Sequence, residues 1–344
     1  MSTDKIDISA LNLLKTLLLI GGVFALLYYG KNLIMPLLVA AIIAILLDNA
    51  VQRFKSLGMA RWFSITLAVL LMVIVFTLLF WALSSQINNI AEDWSTIRDK
   101  ATEKLNAISQ WANSYLNWDY KDYIDNNKKV VQRAEDLASS FLSSLMSLMS
   151  QSLIIFVYVI LFLIQKQQFI NFFKKLFKDR SGINSLLKDS AQITRNYFVG
   201  KGKIMLILIV IYYIGFLIGS VPYALFLALF AALFSIIPYL GNVIGGGVAV
   251  ILSYLYAGAT PALIVIGVVA ATQLIENYVL TPWIIGDEIE LSPFITIFGI
   301  ILFSALWGVV GAIISLPLIG VLKVVFEHTK GMEAYAYLFQ KTDD

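Results

Sequence analysis

From Ile204 to Ile275 the chain runs for 72 residues without one Asp, Glu, Lys, Arg or His, and Glu276 ends the run. A membrane-spanning helix needs roughly 20 apolar residues, so the stretch predicts several passes into or across a bilayer rather than one. Near its middle stand Ser235-Ile236-Ile237-Pro238-Tyr239-Leu240-Gly241-Asn242, a proline and a glycine set among hydrocarbon-grade residues. Backbone freed from helical bonding at that depth has to be buried in protein or line a wet cavity. Together the two features point to transport.

Composition agrees. Mean hydropathy is +0.82, and 14% of residues are charged against about 25% in soluble proteins. The predicted class is an all-α integral membrane protein. With no cysteine and a single histidine, His328, beyond the last apolar segment, thiol chemistry and histidine metal sites are excluded. The sequence has no phosphate-binding glycine loop, no His-Glu-x-x-His and no histidine-activated nucleophile within the membrane, so neither an enzyme nor a cofactor is expected. The first apolar run follows Asp4, Lys5 and Asp7 and ends at Tyr28-Tyr29-Gly30 without a small-residue cleavage pattern, which reads as a retained helix rather than a signal peptide.

Six full spans are expected: Leu11 to Tyr29, Leu33 to Val51, Phe63 to Ser84, the latter half of Leu137 to Ile164, Met205 to Ile218, and Ala262 to Thr281. A tight turn at Gly30-Lys31-Asn32 would join the first two. Tyr223 to Ile237 and Val243 to Tyr256 are too short to cross: about 15 residues make roughly 22 Å of helix against a core of about 30 Å. They predict a re-entrant hairpin with Pro238 to Asn242 at depth. Leu291 to Leu322, 32 uncharged residues broken near the middle by Trp307-Gly308-Val309-Val310-Gly311, predicts a second hairpin. The expected divisions are helices 1–3 in 1–84, an extracytoplasmic helical hairpin in 85–150, span four with basic amphipathic helices in 151–202, a membrane core with both hairpins in 203–325, and a tail in 326–344.

Loop charge orients the chain. Residues 165–203 carry nine Lys or Arg against two Asp, and residues 85–136 carry seven basic groups against nine acidic. The positive-inside rule then places 165–203 and both termini in the cytoplasm. Ile87, Ile90, Trp94, Ile97, Ala101, Leu105, Ile108, Ala112 and Tyr115 recur at three- and four-residue steps, as do Val130, Ala134, Leu137, Phe141, Leu145 and Leu148. Such heptad-like seams predict one helix covering another or a contact between subunits. Phe169, Phe172, Phe173, Leu176 and Phe177 interleave with Lys174, Lys175, Lys178 and Arg180, a pattern for an anionic lipid surface rather than nucleic acid.

Ionisable groups beside apolar spans are costly and so are functional candidates. Glu276 leads, with Gln273, Asn277 and Thr281 expected on a shared polar face within two turns. It could bind a cation, carry a proton or hydrogen-bond a polyol; equally, it could clamp freed backbone of the neighbouring hairpin. Pro238, Tyr239, Gly241 and Asn242 offer backbone and side-chain ligands of the kind secondary transporters build at broken helices, while Gly245-Gly246-Gly247 permits close helix approach. Asp48 is a weaker companion carboxylate. Asp287, Glu288 and Glu290 form an acidic cluster that is either a solvated turn or a cytoplasmic gate.

Gly219-Ser220-Val221-Pro222-Tyr223-Ala224-Leu225, Ile237-Pro238-Tyr239-Leu240-Gly241, Ile275-Glu276-Asn277-Tyr278-Val279-Leu280-Thr281-Pro282, and Leu291-Ser292-Pro293 followed by Trp307-Gly308-Val309-Val310-Gly311 and Leu316-Pro317 resemble, in order and spacing, the autoinducer-2 exporter family of bacterial permeases. The resemblance is specific from about Lys203 to Lys323, with departures at Asn242, where relatives often have proline, and Ser292, where they often have histidine. It implies a bacterial inner-membrane permease in the lipid bilayer, a homo-oligomer with a pentamer among the options, and a small polar solute such as autoinducer-2 or a cation as substrate. Three functions stay open: export of a signal-like metabolite, sodium/proton antiport, and a non-transporting membrane scaffold.

Overall fold

The structure, a computed structural model, describes residues 10–116, 152–177, 180–237, 241–286 and 291–341. The described chain is helical throughout, and its only β feature is an isolated antiparallel bridge between Leu291 and Gln340. In order the helices are α1 (Ala10–Tyr29), α2 (Lys31–Ser56), α3 (Arg61–Glu92), α4 (Trp94–Leu116), α5 (Ser152–Leu176), α6 (Arg180–Ile218), α7 (Ala224–Phe234), α8 (Gly247–Ala257), α9 (Ala259–Ile275), α10 (Thr281–Ile284), α11 (Pro293–Glu327) and α12 (Glu333–Phe339). Widened π turns at Asn242–Gly246 and Glu276–Leu280 lead into α8 and α10. Among the described residues, six stretches are long and apolar enough to cross a membrane: 31–56, 61–83, 152–176, 182–218, 259–284 and 293–327.

Several expectations change. The joint between α1 and α2 is Gly30 alone, with helical hydrogen bonds on either side, Gly30 N–H to the Leu26 carbonyl and Ile34 N–H to the Gly30 carbonyl. Lys31 and Asn32 are already helical, so the tight turn shrinks to one residue. The lysine- and phenylalanine-rich segment through Leu176 is the continuation of α5 rather than a separate surface helix. What looked like the basic loop before span five is the first half of α6, 39 residues in one helix. At 1.5 Å per residue that is about 58 Å, far more than one membrane crossing requires.

The chain divides into two compact units. One comprises 1–45, 154–194 and 290–344. Within it, α11 is not a 35-residue rod. Gly308 sits at φ 64°, ψ −145°, a backbone setting that glycine tolerates and L-residues avoid. Beyond it the helix doubles back, so that a methyl group at Gly299 would collide with the side chain of Ile319. Counting 293–327 as a single span by length is therefore misleading; its two arms lie side by side. Trp307 fixes the bend by donating its indole N–H to the Leu27 carbonyl of α1 at 3.0 Å. Ser292 caps α11, its Oγ accepting from Ile295 N–H at 3.5 Å, ahead of Pro293, whose missing N–H costs nothing at a helix start. Phe326 of α11 stacks edge-on against Phe339 of α12.

The other unit comprises 46–153 and 195–289. Its core gathers Ile204, Leu208, Tyr212 and Phe216 of α6 with Leu227, Ala228 and Ala231 of α7 and Ala249, Leu252 and Leu255 of α8. The α6 residues recur at four-residue steps, the spacing of one helix face. A methyl group at Gly245 would stand 2.5 Å from the Ala231 Cα, so α7 and the π turn that leads into α8 lie back to back at a separation only glycine allows. Ile97 of α4 is buried in this same core, with Ile90, Trp94 and Ala101 packed around it. The first heptad-like seam thus covers α7 and α8 from Ile90 to Ala101. The second, at 130–148, lies outside the described residues, as do Pro238, Tyr239, Asp287, Glu288 and Glu290.

Candidate functional site

The site is assembled where α6, the α7–α8 turn and the end of α9 meet. A carboxylate closing 72 uncharged residues needs a compensating charge if it is withdrawn from water. Glu276 is 4% exposed, and Lys201, 6% exposed, answers it. Lys201 Nζ lies 2.9 Å from Glu276 Oε1 and donates a second hydrogen bond, 3.1 Å, to the Ser235 carbonyl. One turn earlier on α6, the Tyr197 hydroxyl donates to the Ile236 carbonyl at 3.1 Å. Two side chains of α6 thus satisfy the consecutive carbonyls released where α7 ends.

The pair carries no net charge and is buried. Coulomb attraction grows as the local dielectric falls, but so does the cost of taking each ion from water. Removing one partner of such a pair costs about 3–5 kcal/mol. Around it, Thr272 is fully buried and donates its hydroxyl to the Val268 carbonyl at 2.7 Å. Tyr212, three turns along α6 from Lys201, is fully buried too, and its hydroxyl has no hydrogen-bond partner among the described residues. The locus therefore combines a fixed charge pair with one uncommitted hydroxyl.

Of the residues singled out from sequence, Glu276 meets the hairpin backbone here through Lys201. Thr272, Glu276 and Leu280, four apart, face inward; Asn277 faces out, as does Tyr278 at 76% exposure. The shared polar face with Asn277 does not form, because the buried face at Glu276 is the one continued from Thr272. Gln273 and Thr281 are half-buried, and Asp48 is half-buried on α2. The ion-pair partner of Glu276 is Lys201 rather than a second carboxylate. Gly241 is buried, and a methyl group there would press on the Ala231 carbonyl at 2.6 Å; the Asn242 side chain lies outside the described residues.

Lys201 was the residue that charge counting concealed, since it entered the tally of a basic loop. A signal existed: Tyr197, Lys201, Ile204, Leu208, Tyr212 and Phe216 form a single three- and four-residue stripe, which puts the lysine on the apolar face of a helix.

The chain as a whole is similar to known proteins. A family described as AI-2E family transporter matches residues 16–331. YueF of Bacillus subtilis, named as a transport protein, is 28% identical over 317 residues, spanning 86% of this chain and 84% of its own. YhhT of Escherichia coli, also named as a transport protein, is 24% identical over 347 residues, 98% of this chain and 97% of its own. The AI-2 transport protein TqsA of Escherichia coli is 23% identical over 338 residues, 96% of this chain and 97% of its own.

Proposed function

Because the chain belongs to the AI-2E transporter family, and is thus a multi-pass membrane permease of a bacterial family, we propose that it exports a small, uncharged, polar metabolite of the autoinducer-2 kind across the inner membrane. The observation that carries this reading is the buried, neutral Lys201–Glu276 pair seated on the Ser235 carbonyl. A cation using Glu276 would have to displace an ammonium held at 2.9 Å, which weighs against sodium/proton antiport. A hydroxylated solute needs only to exchange hydrogen bonds with the pair and with the Tyr212 hydroxyl, leaving no charge unpaired. The family premise sets the scaffold reading aside.

In this account α7 and α8, 11 helical residues each and so about 16 Å long, form a re-entrant hairpin. It enters beside the end of α6 at Ile218 and turns level with Lys201. The arms on either side of Gly308 form a second. Both termini are cytoplasmic, 85–136 is outside, and the pair closes the inner end of the pathway. Asn242, Gln273 and Thr281 are placed along it, with the 287–290 acids at its cytoplasmic mouth. Each is a proposal whose support is position in the chain. The protein is taken to work as a homo-oligomer.

Efflux from proteoliposomes loaded with labelled autoinducer-2, under an imposed pH gradient with and without sodium, tests the reading. Efflux that follows the solute gradient and ignores sodium is expected. Sodium-dependent proton movement without solute flux would replace the reading by antiport.

A further inference from the structure

We propose that the basic end of α6 carries a binding site for one anionic phospholipid, its phosphate held by Arg195 and Lys203 and an acyl chain laid along Leu206, Ile207 and Trp283. Successive helix residues turn by about 100°, so Lys203 lies on the face of α6 opposite Lys201. Lys201 is buried in the pair and Lys203 is exposed. On that outer face a recess of about 260 Å³ is lined by Asn49 of α2, by Arg195, Asn196 and Lys203 of α6, and by Ile284 and Ile285 after α9. Two cations and two carboxamides converge there, and among the described residues no acidic side chain lines it. The Nε of Arg195 is buried with no hydrogen-bond partner among the described residues, and an N–H withdrawn from water without a partner is costly.

A second recess of about 520 Å³ adjoins the first, sharing Lys203 and Ile284, and is otherwise lined by Leu206, Ile207 and Trp283. Reading along α6 from Arg195 to Ile207, one face passes from cationic to apolar, the order of a lipid headgroup and its tail. Trp283 is 78% exposed and Tyr278 76%, in keeping with aromatic anchoring at that level. Arginine offers a planar fork for phosphate oxygens and lysine a mobile point charge, and basic pockets between membrane helices are suited to anionic headgroups. A soluble phosphate would use the first recess alone, whereas a lipid uses both, so the apolar second recess beside the cations favours the lipid.

Native mass spectrometry of the full-length protein, titrated with phosphatidylglycerol or phosphatidylcholine, provides the test. One tightly held phosphatidylglycerol is expected, weakened at least tenfold by Arg195→Gln with Lys203→Gln, and also by Leu206→Ser with Trp283→Ala. Lys188→Gln with Lys330→Gln, an equal change of charge at exposed side chains that line neither recess, should leave it unchanged. Lys203→Gln alone, at an exposed side chain, should fold normally and still weaken binding. Equal retention of both lipids, or equal loss in the control pair, would overturn the site. Displacement of the lipid by millimolar inorganic phosphate, with no effect of Trp283→Ala, would reassign it to a soluble phosphate and overturn the lipid proposal.

Discussion

Lys201 serves two acceptors at once, Glu276 and the Ser235 carbonyl, so its loss and the loss of Glu276 are not equivalent. Lys201→Met leaves a buried carboxylate unpaired and a carbonyl without its donor, and should lower unfolding free energy by about 3–5 kcal/mol. Glu276→Gln keeps an amide oxygen in reach of Nζ and should cost less. Lys201→Met with Glu276→Leu should recover most of the loss, since replacing a buried pair by apolar side chains is often neutral or stabilising. Thermal unfolding of the three variants in one detergent checks the order. Tyr212→Phe removes a buried hydroxyl that has no partner among the described residues, so stability should hold or rise by about 1 kcal/mol while solute efflux falls. A purely structural Tyr212 would leave efflux unchanged. Glu276 was legible in the sequence because it breaks a charge-free run. Lys201 was not, because 75 positions separate the partners and nothing local in a sequence marks such a contact.

At the scale of elements, helical content and the break at Gly308 could be read directly. The Trp307 to Gly311 segment interrupts an uncharged run too long for one span, and the φ of 64° at Gly308 bears out a break at that residue. Gly308→Ala should therefore cost about 1–2 kcal/mol and loosen the packing of Gly299 on Ile319. The destination of the α4 stripe was beyond reach, since periodicity names a buried face but not what covers it. Ile97 is 8% exposed against the α7–α8 core. Ile97→Asp should thus destabilise the fold by several kcal/mol, on the order of 3, whereas Glu103→Ala, at an exposed position of α4, should be silent. An Ile97→Asp variant of unchanged stability but altered assembly would place this seam between subunits instead. In α12, the Glu333 carboxylate accepts its own N–H and that of Gly331, which hold it below its ordinary pKa. A depressed carboxylate stabilises above its unfolded value, about 4.3, and that stabilisation is lost as pH falls through the folded value. Protection of the α12 amides should decline below about pH 4 in the wild type and show no such step in Glu333→Gln.

For the whole molecule, charge distribution carries most of the topological argument, and the withdrawal of Lys201 into the core does not reverse it. Eight of the nine basic residues in 165–203 remain to set the sign once Lys201 is set aside. The chain has no cysteine, so single reporters are clean. Glu103→Cys should react with an impermeant maleimide in intact cells, and Lys188→Cys only after rupture; the reverse pattern would invert the orientation. The domain divisions drawn from composition put a boundary at residue 203, inside what is one continuous helix, α6. Apolar runs locate membrane-grade segments, but helices extend past them wherever the next residues keep one covered face.

Efflux by the double variant Lys201→Met with Glu276→Leu is the most direct test of the central claim, because it separates a site from a clamp. The pair is removed without stranding a charge, so the protein should fold and insert at wild-type levels. If the pair gates and binds the solute, efflux of labelled autoinducer-2 from proteoliposomes should fall at least tenfold although stability is kept. Wild-type efflux from the folded double variant would contradict the account and leave Lys201 and Glu276 as packing alone.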